Sequence, residues 1–198
     1  MTAIYLASRS PRRRELLLQM RVPHEVLVLA ATGDVDEPRL AGEAPAAYVR
    51  RTAREKAERG VVTIRKRGLL PRPVLSADTT VILGDDILGK PADRSEAMHM
   101  LQRLSGTRHE VRTALALAVN GEMHEDVSVT QVRFRTLSER DIARYCDTGE
   151  PYDKAGGYGI QGLAGVFVEH LDGSYTGVMG LPLFETARLL QHAGIALP

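Results

Sequence analysis

The chain has 198 residues with 26 Lys plus Arg against 25 Asp plus Glu, a net charge of +1, which suits one near-neutral domain and excludes a protein that coats a polyanion. At 43% apolar and 26% charged residues it is neither disordered nor fibrous, and its only cysteine, Cys146, leaves no intrachain disulfide or thiolate metal cage, so the expected compartment is the cytoplasm. Apolar runs stop at six residues (26–31 and 114–119), against about 20 needed to cross a bilayer, and the N-terminal charges follow the first apolar stretch, the reverse of a secretory signal.

In chain order, residues 4–7 read as a strand ended by Ser8-Arg9-Ser10-Pro11. Residues 12–20 then read as a helix, with Ser10 at the N-cap and Pro11 at the first helical position. A second strand is expected at 25–30, an acidic loop at 32–42, and a helix at 45–60 whose apolar side runs through Val49, Ala53 and Ala57 with Lys56 at its edge. Residues 74–77 read as a buried strand, and 79–83 with 86–88 as a hairpin about Gly84-Asp85. Asp93-x-x-Glu96 has capping-box spacing and opens a helix that Gly106 stops. Strands at 109–119 and 122–135 flank Asn120-Gly121, the strongest two-residue hairpin signal. A short helix is expected at 138–147. Residues 148–165 hold six glycines in eighteen positions, the mark of a loop whose backbone takes unusual angles or approaches something closely. A strand at 166–171, a turn at Asp172-Gly173 and a helix near 183–193 complete an α/β domain with a mixed sheet over residues 1–198.

Three stretches carry candidate chemistry. A strand feeding a helix through residues 8–14 makes an anion seat from free N–H groups and the helix dipole. Arg9, Arg12, Arg13 and Arg14 add four guanidiniums, two of them in the first helical turn, where opposing the dipole costs a few tenths of a kcal/mol each. The alternative is a well-capped, solvated basic helix start. Asp78, where the apolar run 74–77 ends, sits where open α/β sheets collect ligands, as a metal ligand or general base; it could equally serve a local turn. The Gly-rich stretch 150–162 reads as a ligand-facing loop or a flexible surface loop, and Gly89-Lys90-Pro91 offers a lysine at a chain reversal. The six histidines show no ligand spacing, and Cys146 reads as a small buried hydrophobe.

Taken together, these segments resemble the Maf family of nucleoside triphosphate pyrophosphatases nearly end to end. The likeness is carried by Leu6-Ala7-Ser8-x-Ser10-Pro11-Arg12-Arg13-x-Glu15-Leu16-Leu17, Arg54-Glu55-Lys56-Ala57, Ala77-Asp78-Thr79, Gly89-Lys90-Pro91, Leu101-x-x-Leu104-Ser105-Gly106, Asp153-Lys154-Ala155-Gly156-x-Tyr158-Gly159-Ile160-Gln161-Gly162 and Val178-x-Gly180-Leu181-Pro182. Within the family the pattern looks like the branch acting on dTTP and UTP rather than on 7-methyl-GTP. The resemblance implies an elongated, two-lobed α/β fold of the Maf and ITPase kind with a central cleft, commonly a homodimer. It implies hydrolysis between the α and β phosphates with a divalent metal, Mg or Mn, in a house-cleaning or cell-division-linked role. By the same resemblance Asp78 is the general base. Arg12, Thr79 and Gln161 bear on substrate choice, Ser8, Arg13, Lys56 and Lys90 lie on the phosphate side, and Glu37 joins Asp78 at the metal, with Asp34 or Asp36 as alternates.

The charges fit that role in their own right. A triphosphate carries about four negative charges, which cations from several elements can surround while paired carboxylates hold a hard, oxygen-seeking ion. A non-catalytic nucleotide-binding regulator of septum formation is the other reading the resemblance allows, and intact Asp78, Thr79 and Lys90 weigh against it. A nucleic-acid binder built on the Arg9 to Arg14 cluster is disfavoured by the net charge and by 5% aromatic residues with no Trp. No membrane partner is expected.

Overall fold

The computed structural model describes residues 3–29 and 38–197. Strand β1 (Ile4–Leu6) leads into helix α1 (Pro11–Gln19), whose N-cap is Ser10: its hydroxyl accepts from the Arg13 N–H, and Pro11 occupies the first turn as expected. Strand β2 (His24–Val26) is shorter than the sequence pattern promised. Residue 30 of that expected strand lies outside the described residues, as does residue 37.

Helix α2 (Pro45–Lys66) runs a turn and a half past Gly60, where the sequence reading ended it. That glycine is a packing device rather than a stop. A Cβ at Gly60 would lie 2.6 Å from Val74 Cγ1 and 3.5 Å from Ala7 Cβ, so its absence lets α2 settle onto the sheet. The close packing offsets the roughly 1 kcal/mol that glycine costs inside a helix. Val49, Ala53, Ala57, Gly60 and Ile64 form its buried stripe, and burial of Val49 or Ile64 contributes about 1.5–3 kcal/mol each.

Strand β3 (Val74–Leu83) is continuous where two separate runs were expected, and pairs antiparallel with β4 (Asp86–Leu88). Helix α3 (Arg94–Leu104) is capped by Asp93, which accepts from Glu96 N–H at 2.8 Å. Glu96 returns to the N–H of Ala92 at 2.7 Å, one residue short of a capping box. Strands β5 (Arg108–Val119) and β6 (Glu122–Phe134) flank the expected turn, with φ 53° at Asn120 and 84° at Gly121. Helix α4 (Glu139–Cys146) carries a complete capping box between Ser138 and Asp141. Three 3-10 turns follow, Glu150–Asp153, Ala155–Gly157 and Leu163–Phe167; the first two lie within the stretch read as loop, and the third takes the first two residues of the strand expected at 166–171. After β7 (Val168–Asp172), helix α5 (Tyr175–Met179) was not foreseen: it is five residues long and carries Gly177 between Thr176 and Val178, so it shows no helical period. Helix α6 (Leu183–Leu190) ends the chain with a last 3-10 turn, Gln191–Ala193.

The seven strands of the described residues form one mixed sheet in the order β2-β1-β3-β5-β6-β7, with β4 on β3. The β1–β2 and β1–β3 pairs are parallel, the β3–β4 and β6–β7 pairs antiparallel. The chain divides into two compact units, Met1–Asp78 with Thr113–Ser128 and Gly180–Pro198, and Thr79–Arg112 with Val129–Met179. In the first, α2 packs Val49, Ala53, Ala57 and Ile64 against Tyr5, Leu27, Val74 and the alanines of β5. The core of the second is richer in rings: Phe134 meets Tyr158 at 4.8 Å and His109 at 5.1 Å, and Tyr145 meets Phe167 at 5.2 Å, all edge-on, the arrangement ring quadrupoles favour.

Candidate active site

In the first unit, the turn between β1 and α1 is held by side chains as well as by the helix cap. Ser8 Oγ accepts from the Ser10 N–H at 3.2 Å and from Arg13 Nη1 at 3.1 Å, while Arg13 Nε donates to the Gly180 carbonyl at 2.8 Å. The Val178-x-Gly180-Leu181-Pro182 motif therefore has a local use: it supplies the oxygen that aims Arg13. Arg12 is half-buried in the first turn of α1, and Arg9 donates to the Leu29 carbonyl at 3.3 Å. The guanidiniums sit at the positive end of the α1 dipole, where an anion would relieve their mutual repulsion.

Asp78 does not stand at a strand end, as the sequence reading had it. It lies inside β3, because β-branched Thr79, Thr80, Val81 and Ile82 carry the extended backbone onward. Its carboxylate meets the ammonium of Lys56 on α2, Nζ to Oδ1 at 2.6 Å, with 14% of the Asp78 side chain and 19% of the Lys56 side chain exposed. Behind this pair lies a residue to which the sequence reading gave no task. Ser76 is fully buried, and its hydroxyl donates to the Ala53 carbonyl at 2.6 Å. Ser76 is two positions before Asp78 on one face of β3, and Ala53 is three before Lys56 on one face of α2, so this bond sets the register that brings ammonium to carboxylate. Its signal was present: a lone hydroxyl in the buried run 74–77.

In the second unit, Thr79 is half-buried in β3, Lys90 is exposed just beyond β4, and Gln161 is exposed in the glycine-rich segment. That segment is anchored near Lys90: the Gly156 N–H donates to the Gly89 carbonyl at 2.9 Å. Both reasons for its glycines hold. Gly156 and Gly157 each have φ 69°, a region costly to other residues. Gly159 and Gly162 are sites of close approach, where a Cβ would fall 2.8 Å from Lys154 Cε and 2.5 Å from both carboxylate oxygens of Glu150. Glu150 is a second residue the sequence reading did not single out. Its carboxylate accepts from Tyr145 Oη at 2.9 Å, Leu163 N–H at 2.9 Å and Ala164 N–H at 3.4 Å, while its backbone carbonyl accepts from Lys154 Nζ at 2.7 Å. Tyr158, beneath the segment, shares a 2.8 Å hydrogen bond with His109 Nε2. Burial pushes the Tyr158 phenol up and His109 down to about 4.

The Glu37 assignment, with Asp34 and Asp36, lies outside the described residues. Among the described residues no group of three or more His, Cys, Asp or Glu side chains gathers to hold a metal. Asp78 nonetheless fits a magnesium-type ion, which takes hard oxygens and is commonly held by one or two carboxylates together with substrate phosphates. Cys146 is buried, and burial raises its thiol, which makes it a packing residue.

Among known proteins, residues 3–193 match a family model described as Maf-like protein. A dTTP/UTP pyrophosphatase of Bordetella avium is 61% identical over 195 residues, covering 98% of this chain and 97% of that protein. One of Bordetella parapertussis is 60% identical over 195 residues, with 98% and 94% covered. A third, of Nitrosomonas europaea, is 50% identical over 198 residues, with 98% and 96% covered.

Proposed function

The chain belongs to the Maf-like protein family, and from that membership we propose that it is a nucleoside triphosphate pyrophosphatase, hydrolysing dTTP and UTP to the monophosphate and pyrophosphate. Relatives carrying that activity in their names align with nearly the whole chain at up to 61% identity. The observation that carries the chemistry is the Lys56–Asp78 contact of 2.6 Å, a positioned carboxylate beside a cation.

Asp78 takes a proton from water as that water attacks the α phosphorus. The new P–O bond forms, the bond from the α phosphorus to the bridging oxygen breaks, and its electron pair leaves with pyrophosphate. Lys56 holds the Asp78 carboxylate in one orientation and puts positive charge beside the phosphates. Ser8 and Arg13, fixed to each other and to the Gly180 carbonyl, form the anion seat at the start of α1 with Arg12, and Lys90 adds charge on the phosphate side. Thr79, Arg12 and Gln161 bear on which nucleotide is accepted. A divalent cation, Mg or Mn, held by Asp78 with Glu37 or a neighbouring acid, would neutralise charge on the phosphate oxygens. The proposal extends to a cytoplasmic homodimer that uses neither nucleic acid nor membrane as partner; no helix among the described residues is long and apolar enough to cross a membrane.

One reaction tests the bond that breaks. With dTTP in ¹⁸O-water, attack at the α phosphorus leaves label in dTMP and none in pyrophosphate. Label in pyrophosphate, or orthophosphate with a nucleoside diphosphate, would reject the mechanism.

A further inference from the structure

Gln161 lies in a segment whose path is dictated by one side chain. Glu150 reaches that segment on both sides of Gln161. On one side the Gly159 N–H donates to Tyr145 Oη at 3.4 Å, and that hydroxyl donates in turn to Glu150 Oε1 at 2.9 Å. On the other, the Leu163 and Ala164 N–H groups donate to the same carboxylate. Between them Gly162 lies so close that a Cβ would overlap both carboxylate oxygens at 2.5 Å. Lys154, whose Nζ bonds the Glu150 carbonyl, closes the remaining side by packing its stem against Gly159. A carboxylate has about four acceptor positions and no donor, so it suits a segment that presents several N–H groups. An amide in its place would turn a donor toward them.

We infer that Glu150 is the positioning residue for base selection: its carboxylate accepts the Leu163 and Ala164 N–H groups beyond Gln161 directly and is tied to the Gly159 N–H before it through Tyr145 Oη, and so fixes the angle at which the Gln161 amide meets the nucleobase. The inference rests on the reading of Gln161 as a contact to the base. Hydrogen bonding is steeply angular, and a misplacement of about 1 Å at a reacting or recognising group costs on the order of 10²-fold. Glu150 itself touches neither substrate nor the reacting atoms. Its effect appears in the choice among nucleotides, which a purely structural residue leaves unchanged.

The test measures kcat/KM for dTTP and for dGTP in the wild type, Glu150→Ala, Glu150→Gln, Gln161→Ala and the Glu150→Ala, Gln161→Ala double variant. Selectivity for dTTP should fall roughly 10- to 100-fold in Glu150→Ala, through dTTP and with dGTP turnover unchanged, and by less in Glu150→Gln, which keeps one acceptor. In the Gln161→Ala background, loss of Glu150 should change selectivity no further. If Glu150→Ala does not fold, Glu150→Gln carries the same comparison. Equal losses for both nucleotides, or wild-type selectivity in the folded Glu150 variants while Gln161→Ala loses it, overturns the inference. Wild-type selectivity in Gln161→Ala rejects the reading of Gln161 itself, and the inference with it.

Discussion

In the proposed mechanism Asp78 concentrates the chemistry in two carboxylate oxygens, one of them 2.6 Å from the Lys56 ammonium. Asn at this position is the same size and keeps a carbonyl oxygen for Lys56, but it cannot take a proton from water. Asp78→Asn is therefore expected to lower turnover of dTTP by 10²-fold or more, about the usual contribution of a positioned acid–base group, while Tm moves by only a few degrees because the isosteric amide keeps an acceptor for Lys56. Steady-state pyrophosphate release and a thermal melt on the same sample check both halves, and wild-type turnover would remove Asp78 from the mechanism. Ser76 shows the other way one residue can matter. It meets no substrate, yet its bond to the Ala53 carbonyl sets the pairing of two elements. Ser76→Ala deletes that bond, at about 1 kcal/mol of stability, and because the register of the Lys56–Asp78 pair depends on it, kcat should fall more than KM rises. Full kinetics beside a denaturant titration would check this, and an unchanged kcat would confine Ser76 to packing.

At the scale of elements, the glycine-rich segment is built from short 3-10 turns. Its underside is Tyr158, whose hydroxyl meets His109 Nε2, while His109 Nδ1 is buried without a hydrogen-bond partner among the described residues. Burial brings His109 down from 6.5 to about 4. Between those values the unfolded chain binds a proton that the folded chain refuses, so stability rises with pH across that window and is lost as pH falls from 6.5 towards 4. The full difference is about 3 kcal/mol. Melting curves from pH 7 to pH 4.5 should therefore fall more steeply for the wild type than for His109→Gln, which can still accept from the Tyr158 hydroxyl and does not titrate. Parallel curves would show that acid destabilisation comes from other groups.

For the whole molecule, a net charge of +1 means that the cations of the α1 turn act locally, on a ligand that reaches them, and do not dominate a long-range field. At that turn Arg9 is engaged by the Leu29 carbonyl and Arg13 by Ser8 and Gly180. Non-specific duplex DNA should accordingly bind more weakly than the roughly 10⁻⁴–10⁻⁶ M typical of proteins that coat it. Filter binding at physiological salt gives the number, and tight, salt-dependent retention would reopen the nucleic-acid reading of Arg9 to Arg14.

The sequence by itself determined the elements whose causes are local. The Ser10 cap with Pro11, the Asn120-Gly121 turn and the Ser138 helix start each depend on neighbours within four residues, and each stands where the residues put it. The motifs of the proposed site stand out in the letters for a similar reason: phosphate chemistry needs cations, carboxylates and close-approach glycines at particular points in the chain, and those are residue types a sequence displays. Tertiary structure decided what depends on distant partners. Gly60 reads as a stop until Val74 lies against it, and then it becomes the contact that lets α2 run on to Lys66. Asp78 reads as a strand end because a charge interrupts an apolar run, but pairing carries β3 through it and Lys56 receives its carboxylate. Glu150 reads as one more loop acid because its donors, Tyr145, Leu163 and Ala164, come from both sides of it along the chain. A side chain's type is local information, whereas the partner that gives it a task is chosen by the fold.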